Sequence, residues 1–336
     1  MVLDAIEQGK LRPGMTIVEG TAGNTGIGLA MIAKALGYRM LVVMPNDQAR
    51  EKMDLVRMYG AQLLLVDSVP FTDENHFFHT ASRIAREKPN EYWHANQFEN
   101  LSNLRAHYSC TGPEIVQQLE EIVSKEKNNN GRDNGSSDDN NGNDSQLDVI
   151  LVSAAGTGGT LAGCSKYLKE TLGDKRARTV LVDPSGSGLA HFAKFGEFVK
   201  DPNEQPTFTE GVGIMRLVSN FNEGRKYLDE AFRISDAHVV RMAQYVRDHD
   251  GITPGSSAAL NLCGALRKAV GLRNQNKNIV TFLCDGGERT LSKMYNDEFL
   301  KSRQLSEEYL PSIEQMMAQY EELERTENTA TMKIES

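Results

Sequence analysis

The sequence has few cysteines, and no two of them are close together. Its four cysteines form no C-x-x-C pair, so the pattern predicts neither a disulfide framework nor a zinc knuckle. Histidine is also sparse, and the pair His76 and His79 has no carboxylate-rich partner motif that would complete a metal site. We therefore expect a chain from a reducing compartment, without a bound metal.

Long apolar runs and an excess of basic residues are missing as well. No run approaches the roughly 20 apolar residues that a membrane-spanning helix needs. The first residues, MVLDAIEQGK, lack the basic and apolar regions of a signal sequence. Lys and Arg number 37 against 46 Asp and Glu, which gives a formal net charge of -9. Nucleic acids and anionic membranes select basic surfaces, so neither is expected as the main partner.

The residues that are present indicate an α/β protein. A chain of 336 residues with 39% hydrophobic content can bury a sizeable core and is long enough for two domains. Helix-like stretches separate most of its short apolar runs, which is the βαβ pattern of mostly parallel sheets covered by helices. Five runs have the length and composition of strands: 39–45, 61–67, 147–153, 178–184 and 278–284.

Two segments fall outside this alternation. Residues 125–146 contain no apolar side chain, so burial cannot offset the entropy of ordering them, and a disordered surface insert is predicted. The last helix-like stretch is interrupted by Pro311, and we predict a charged helical tail over residues 301–336. Three apolar side chains are expected to dock this tail on the rest of the chain: Met316, Met317 and Tyr320.

The segment IVEGTAGNTGIGLA, residues 17–30, joins a β-branched start to a helix-forming end through small residues. Its glycines let a ligand approach the main chain closely, and the start of the following helix leaves N–H groups unpaired. Thr21, Asn24 and Thr25 add hydroxyl and amide groups that form hydrogen bonds. This combination suits an anion. Because the protein as a whole is negatively charged, it must bind an anion through a local site of this kind.

A second segment, DVILVSAAGTGGTLAG, repeats this pattern at residues 148–163. A strong strand leads into a glycine-rich and threonine-rich turn, so several N–H groups and two hydroxyls can converge on one phosphate. The turn is not a P-loop, because no Lys-Ser or Lys-Thr pair ends it, and it lacks the G-x-G-x-x-G spacing. An ordinary strand-to-helix turn has the same composition, but two such turns in one chain favour a ligand site.

Six motifs occur in series along residues 18–292. In chain order they are VEGTAGNTGIGLA, NQF with TGPEI, GTGGTLAG, EGVG, GSSAALN and CDGGERTLS. Together they resemble the cysteine synthases (O-acetylserine sulfhydrylases) and cystathionine β-synthases, which are fold type II enzymes of the tryptophan synthase β-like group. The resemblance covers residues 1 to about 295 and implies pyridoxal 5'-phosphate as the cofactor. Within the family, the sequence most resembles the fungal mitochondrial cysteine synthase-like proteins.

The resemblance implies a role for each matching residue. Asn24 would form a hydrogen bond with the ring hydroxyl of the cofactor, and Gly211 would lie near the open face where the second substrate enters. The carboxylate of the amino-acid substrate would be held by four residues: Thr21, Gly23, Thr25 and Gln97. The cofactor phosphate would be held by the second glycine-rich turn: Gly156, Thr157, Gly158, Gly159 and Thr160.

The resemblance also implies a lysine that links the cofactor, on a short helix upstream of the region that begins at Met1. No lysine of this sequence takes that position, and Lys10, Lys34 and Lys52 are expected to be solvated surface charges. This amine would also remove the Cα proton of the substrate, and loss of a positioned base typically costs about 10²- to 10⁴-fold in rate. No catalytic residue is therefore assigned.

Two further positions, Gly286 and Ala22, differ from most members of the family. Gly286 belongs to the expected cofactor site, but it stands where a serine or threonine hydroxyl usually meets the ring nitrogen. The adjacent Asp285 is expected to face solvent and to cap the next helix, with the alternative that it turns inward and protonates the cofactor ring, which would make the ring a stronger electron sink. Ala22 replaces a common serine in the first loop, which removes one hydroxyl near the substrate carboxylate.

The expected protein is a two-domain fold type II α/β enzyme. Residues 1–105 would form the smaller domain and residues 106–300 the larger one, with the cofactor in the cleft between them. The implied reaction is a β-replacement, in which O-acetylserine, or a related activated serine or homoserine, exchanges its leaving group for sulfide to give L-cysteine. A homodimer that pairs through the larger domains, in the mitochondrion or the cytoplasm, is expected.

Other functions stay open because the lysine is absent. The chain could be a non-catalytic relative that binds pyridoxal phosphate or another ligand, or that only forms dimers. It could also be a fragment of a longer, active enzyme. A nicotinamide-dependent oxidoreductase is disfavoured, since no acidic residue at a strand end accompanies a dinucleotide fingerprint.

Overall fold

The computed structural model describes residues 1–130, 147–199, 206–273, 275 and 277–334. Within these residues the chain forms two four-stranded sheets covered by helices. All strand pairs within the two sheets are parallel, so the predicted α/β class is confirmed. None of the helices in this part of the chain combines the length and the apolar composition of a membrane span.

The first sheet lies in the N-terminal part of the chain and has the strand order β3-β2-β1-β4. Its strands are β1 Thr16–Gly20, β2 Arg39–Pro45, β3 Gln62–Val66 and β4 Tyr92–His94. Four helices belong to this part: α1 Val2–Glu7, α2 Asn24–Ala35, α3 Arg50–Met58 and α4 Phe77–Glu87. The central strand β1 is buried along its whole length because helices pack against it.

A helical connection leads from the first sheet to the second. It consists of α5 Ser102–Ala106, a π-helical turn over His107–Thr111, and α6 Gly112–Asn130. The π-helical turn packs against the helix Gly159–Leu172, which follows the strand Val149–Ala154 of the second sheet. Turns of this kind often occur at functional sites, because they displace side chains from the regular helical position.

The second sheet has the strand order β7-β6-β5-β8. Its strands are β5 Val149–Ala154, β6 Ala177–Pro184, β7 Glu230–Ile234 and β8 Asn278–Val280. Its helices are α7 Gly159–Leu172, α8 Leu189–Phe195, α9 Ser219–Gly224, α10 Asp236–Asp250, α11 Ser256–Gly271, α12 Asp297–Ser302 and α13 Ile313–Ile334. The loops after β1 and β5 open at the carboxyl ends of their sheets, where ligands bind in α/β folds.

All five predicted strands are present, and β2 has the predicted bounds. The last run is shorter than predicted, because β8 ends at Val280 and the following residues leave the sheet. Thr281 instead donates its hydroxyl to the Val152 carbonyl at 2.8 Å. This departure carries Phe282 and Cys284 into the cavity described below.

Helix α6 continues to Asn130 and so includes the first six residues of the predicted insert over residues 125–146. Disorder of the insert stays a prediction. Lys and Glu have high helix propensity, which extends a helix although nothing apolar is buried. Residues 131–146 lie outside the described residues.

The predicted tail is a helix that packs tightly on the second sheet's helices. Helix α13 begins after Pro311, as expected, and its Met316 and Tyr320 are almost fully buried. Met317 is half-buried and lines a shallow groove instead. The Tyr320 hydroxyl lies 2.8 Å from His238 Nδ1, so α13 joins the larger core rather than standing apart from it.

Candidate active site

A cavity of about 450 Å³ lies between the two sheets. The loops after β1 and β5 face each other across it, and the loop over residues 210–216 forms a third side. The structure brings together almost every site residue predicted from the sequence: Thr21, Gly23, Asn24, Thr25, Gln97, Gly156, Thr157, Gly158, Gly159, Thr160 and Gly211. Gly286 is not among the lining residues.

The first loop is tied to its neighbours by hydrogen bonds. Thr21 Oγ1 accepts from the Gly23 N–H at 3.1 Å, and the Thr25 hydroxyl donates to Gln97 Oε1 at 2.6 Å. Gln97 Nε2 in turn donates to the Gly20 carbonyl at 3.0 Å. The orientation of the Gln97 amide is thereby fixed, with its oxygen toward Thr25 and its nitrogen toward β1.

Gly23 must be glycine for two reasons. Its φ of 157° lies in the region that other residues rarely adopt, and a side-chain carbon there would lie 2.6 Å from Lys52 Cδ. The loop therefore exposes its main chain to the cavity directly before the N-terminus of α2, where unpaired N–H groups and the helix dipole favour an anion.

The second loop forms a cradle that excludes side chains. A carbon atom added at Gly156 would collide with the Gly211 carbonyl, and one at Gly159 would collide with Asn103. Gly158 has a φ of +85°, which favours glycine, and opens the 14-residue helix α7. The N-terminus of a helix favours a bound anion, so a loop of this kind suits a phosphate.

Two side chains that the sequence did not single out for this purpose orient the threonines of the cradle. Asn103 Nδ2 donates to Thr157 Oγ1 at 3.0 Å, and His107 Nε2 lies 3.0 Å from Thr160 Oγ1. His107 comes from the π-helical turn, and its Nδ1 lies 2.9 Å from Thr111 Oγ1. Burial lowers the pKa of His107, which favours the neutral ring.

Asp285 does not face solvent, so the prediction that it caps the next helix is wrong. Its Oδ2 accepts from Asn24 Nδ2 at 2.7 Å, and no side chain caps the short 3-10 turn Gly287–Arg289. Gly286 pairs with Pro254 in an isolated bridge and is not among the residues that line the cavity. The lining residues on this side are Ser257, Phe282 and Cys284. Ser257 and Cys284 belong to the GSSAALN and CDGGERTLS motifs, and Phe282 belongs to the predicted run 278–284, but the sequence analysis marked none of them as site residues.

Lys52 is not a surface charge, which corrects the sequence prediction. Its ammonium lies 2.6 Å from Glu210 Oε2, and only 2% of its side chain is exposed. Lys293 Nζ lies 2.6 Å from the other oxygen of Glu210, which also accepts from the Ala49 N–H at 2.9 Å. This group of charges joins α3 to the larger part of the molecule, whereas Lys10 and Lys34 are exposed as predicted.

Arg216 forms an aromatic wall of the cavity with three phenylalanines. Its guanidinium carbon lies 4.4 Å from the ring centre of Phe71, and Phe78 and Phe98 lie at 4.9 and 4.8 Å. Arg216 Nη1 also donates to Glu99 Oε1 at 2.8 Å. The sequence analysis missed this wall, because its members come from four separate segments.

Glu19 is fully buried behind Gln97, and the neighbouring His94 is partly buried. Burial raises the pKa of Glu19 to about 8, and burial lowers the pKa of His94 to about 4. The nearest oxygen and nitrogen of the two side chains are 3.8 Å apart. Glu19 also accepts from the Gln97 N–H at 3.4 Å, so the pair supports a residue of the cavity from behind.

A sequence model of the family described as pyridoxal-phosphate dependent enzymes matches residues 1–285. The chain belongs to this family. Cysteine synthase 2 of Schizosaccharomyces pombe is 38% identical over 91% of this chain and 74% of its own length. Cysteine synthase 2 of Neurospora crassa is 40% identical over 88% of this chain and 62% of its own length.

A solved structure supports the same membership. The O-acetylserine sulfhydrylase isoform 3 of Entamoeba histolytica aligns with a TM-score of 0.69 and 29% identity. The alignment covers 92% of this chain and 81% of that one. The family assignment and the fold type predicted from the six motifs are confirmed.

The residues of this pyridoxal-phosphate dependent enzyme fit the cofactor of its family. The cradle before α7 is closed to side chains, lies at a helix N-terminus and carries the hydroxyls of Thr157 and Thr160, which suits a phosphate. No lysine is among the described residues that line the cavity. The Lys52 ammonium lies behind the first loop, 3.5 Å from the position that a Gly23 side chain would take.

Proposed function

We propose that this chain forms L-cysteine from sulfide and O-acetylserine, or a related activated serine or homoserine, by pyridoxal-phosphate-dependent β-replacement. The observation that carries the proposal is that two anion-binding loops open into one cavity. A protein that catalyses this reaction must bind a cofactor phosphate and an amino-acid carboxylate at the same time. The relatives named cysteine synthase support the same substrates.

The second loop is the proposed phosphate site. The phosphate would accept hydrogen bonds from N–H groups of Gly156–Thr160, and Asn103 and His107 hold the hydroxyls of Thr157 and Thr160 in place. Asn24 would contact the ring oxygen of the cofactor. When bound, pyridoxal phosphate supplies an electron sink that stabilises negative charge on the carbon next to the substrate's amino group.

The first loop is the proposed site for the carboxylate of the amino acid. The N–H groups around Gly23 at the start of α2 donate to it, and Thr21 shapes the turn from which they project. Thr25 and Gln97 hold each other at 2.6 Å and close the side of this site. Gly211, which is exposed and has a φ of +80°, lies at the proposed entrance for sulfide.

One observation favours a second candidate function. Because no lysine lines the cavity within the described residues, the chain could bind pyridoxal phosphate and an amino acid without turnover. A positioned base contributes about 10²- to 10⁴-fold to the rate of proton transfer. The rate of cysteine formation therefore separates the two candidates.

The test compares initial rates of cysteine formation from O-acetylserine and sulfide, with the chain plus cofactor and with the cofactor alone. A rate at least about 10²-fold above free cofactor supports the enzyme. A rate within about tenfold supports the binding protein, since holding the reactants together does not supply the proton transfer. O-acetylhomoserine, assayed in parallel, identifies the preferred amino acid.

A matched variant tests the proposed carboxylate site, whether the chain is an enzyme or a binding protein. Thr25→Val keeps the side-chain shape but cannot donate to Gln97, so the amino acid should bind about tenfold more weakly, the effect of one lost hydrogen bond. Isothermal titration with the amino acid measures this change. Affinity equal to that of the wild type would argue against the first loop as the carboxylate site.

The proposal includes a homodimer in a reducing compartment, either the mitochondrion or the cytoplasm. The resemblance implies pairing through the larger domain, and a shallow apolar groove between α10, α11 and α13 leaves Tyr245 partly exposed there. All four cysteines are free thiols, which supports a reducing compartment. Imaging of the tagged chain with organelle markers distinguishes the two compartments.

A further inference from the structure

The aromatic wall of the cavity consists of Phe71, Phe78, Phe98 and Arg216. The Arg216 guanidinium carbon lies 4.4 to 4.9 Å from the three ring centres, and the rings of Phe78 and Phe98 pack edge to face at 5.6 Å. Two large apolar residues that line the cavity stay open to solvent, since Phe71 is 37% exposed and Met215 is 39% exposed. Exposed apolar side chains in a cavity favour an apolar ligand.

The charges of the wall are already paired within the protein. Arg216 Nη1 donates to Glu99 Oε1 at 2.8 Å, and Glu99 Oε2 accepts from the N–H and the hydroxyl of Ser219 at 3.1 and 2.6 Å. Arg216 Nη2 is buried without a hydrogen-bond partner among the described residues, so it is closed to a ligand in the cavity. Mainly because it is buried, the nearby His76 has a pKa lowered to about 4 and is neutral at neutral pH. The wall therefore presents an apolar surface rather than an anion site.

The wall borders the proposed site for the amino acid. A carbon atom added at Gly20 would lie 2.9 Å from Phe78 Cα, so Phe78 packs against the end of β1 directly before the first loop. Phe98 follows Gln97, whose amide oxygen accepts from the Thr25 hydroxyl at 2.6 Å. The aromatic surface and the carboxylate site are thus neighbouring parts of one cavity.

Sulfide makes little use of such a surface. It has a single heavy atom and is about the size of a water molecule, whereas the cavity measures about 450 Å³. A larger apolar group would remove the exposed faces of Phe71 and Met215 from water. Each buried CH₂ group strengthens binding by about fourfold, and a ring packed against a phenylalanine gains about a further two- to tenfold.

We propose that the aromatic wall is the subsite for an aromatic substituent on the β-carbon side of the amino acid, so that thiols carrying an aromatic group are acceptors in addition to sulfide. The thiol sulfur forms a bond to the β-carbon of O-acetylserine, and the bond from that carbon to the acetate oxygen breaks. Acetate leaves with the electron pair, the thiol proton passes to solvent, and the product is an S-substituted L-cysteine. This inference rests on the proposed function and adds a class of acceptor to it.

The experiment compares the binding of S-benzyl-L-cysteine and S-methyl-L-cysteine to the full chain with saturating pyridoxal phosphate. The two ligands have the same amino and carboxylate groups, so the ratio of their dissociation constants isolates the substituent. Isothermal titration should show that the wild type binds the benzyl compound at least about tenfold more tightly. This measurement needs no variant, so a variant that does not fold leaves the test intact.

A variant of the wall then locates the preference. Phe71→Ala should reduce the ratio by about two- to tenfold, because one aromatic contact is lost. Phe195→Ala is the matched control, since Phe195 is 67% exposed on α8 and does not line the cavity. A wild-type ratio near one, or a ratio that Phe71→Ala leaves unchanged, would overturn the proposal.

An anionic ligand tests the opposite reading of Arg216. O-Phospho-L-serine carries a charged group on the same carbon, and it should bind more weakly than S-benzyl-L-cysteine, because Glu99 already pairs with Arg216. Tighter binding of the phosphorylated amino acid would mean that the guanidinium is open to ligands. That result would contradict an apolar subsite.

Transfer is measured separately, with sulfide and with phenylmethanethiol as acceptors. Formation of S-benzyl-L-cysteine supports the proposal, whereas transfer to sulfide alone contradicts the added acceptor class. Cysteine formation with a binding ratio near one supports the proposed function and contradicts this inference. A high ratio that Phe71→Ala reduces, without transfer to either acceptor, supports the aromatic subsite and contradicts the proposed function.

Discussion

At the residue scale, Gly159 shows how the cradle depends on an empty position. A side chain there would collide with Asn103, whose amide holds the Thr157 hydroxyl at 3.0 Å. Because Gly159 has no side chain, there is room both for a ligand and for Asn103, which orients Thr157.

Gly159→Asp should abolish measurable binding of pyridoxal phosphate, with a dissociation constant raised at least about 100-fold. The added carboxylate opposes the phosphate charge, and such like-charge contacts cost several kcal/mol. Fluorescence titration with the cofactor measures the effect. Gly159→Asn has the same shape without the charge, so its smaller loss isolates steric exclusion, and binding by the Asp variant within a few-fold of wild type would argue against this cradle.

Glu19 and His94 are a second residue-scale feature with a measurable consequence. The pKa of Glu19 is raised to about 8, so this group takes up a proton on folding, and its contribution to stability falls as pH rises from about 4.5 to 8. The pKa of His94 is lowered to about 4, so its contribution rises with pH up to about 6.5. The two slopes oppose each other below pH 6.5, and only that of Glu19 remains above it.

Glu19→Gln should therefore flatten the pH dependence of stability between pH 6.5 and 8. Glu19 would cost the wild type up to about 2 kcal/mol of its free energy of unfolding over this interval, whereas the variant would lack this loss. Urea unfolding at both pH values measures the difference. Glu87→Gln changes an exposed carboxyl on α4 and should follow the wild type, and equal losses in all three proteins would contradict the prediction.

At the element scale, α13 is a structural helix of the larger core. Its Glu324 is almost fully buried and accepts from Arg267 Nε at 2.8 Å and from Lys268 Nζ at 2.6 Å. Both cations belong to α11, which packs on the second sheet. The sequence analysis predicted docking of the tail through apolar side chains, and the structure adds a buried carboxylate that secures the helix to α11.

Glu324→Gln should lower the free energy of unfolding by about 3 kcal/mol, because it leaves two buried cations without this carboxylate. The loss lies at the lower end for such pairs, since Lys268 also contacts Glu230 at 2.7 Å and Arg267 contacts Glu327 at 2.7 Å. Urea denaturation measures it. Glu321→Gln, on the exposed face of the same helix, should change stability by less than about 1 kcal/mol; similar effects of the two changes would argue against the buried contact.

The strands illustrate why elements differ in how well they can be predicted. The strands found from their apolar runs include the inner strands β2, β5 and β6, which are covered on both faces and therefore read as continuous apolar segments. The five runs also include the edge strands β3 and β8, but they do not include the edge strands β4 and β7, nor the inner strand β1, which the sequence analysis treated only as the start of the first loop. Glu230 and Arg233 in β7 can reach solvent at the edge, so their strand lacks the apolar signal.

At the scale of the whole molecule, the two sheets are joined by charged and polar contacts around the cavity. Lys52 of α3 contacts Glu210 of the larger part, and Asn24 contacts Asp285. Both connections lie next to the first loop, so the position of that loop depends on how the part of the chain around the first sheet packs against the part around the second sheet. Ligand affinity and the mutual packing of the sheets should therefore change together.

The proposed homodimer should appear as a particle of twice the chain mass in static light scattering at micromolar concentration. Pairing would cover the apolar side chains that the groove between α10, α11 and α13 exposes. A well-folded monomer over the same concentration range would contradict the prediction. Adding pyridoxal phosphate during the measurement tests whether the cofactor and the assembly are linked.

The sequence by itself determined the fold class, the two loops and the family. Apolar runs that alternate with helix-like stretches indicate a parallel sheet, and two strand-to-helix turns rich in glycine and threonine in one chain favour an anion site. Only the tertiary structure decided which distant residues complete that site. Asn24 and Asp285 are 261 positions apart, and Lys52 and Glu210 are 158 apart. The burial of a charge depends on what packs over it in space, so local sequence could not distinguish Lys52 from the exposed Lys34 or show that Asp285 turns inward over Gly255.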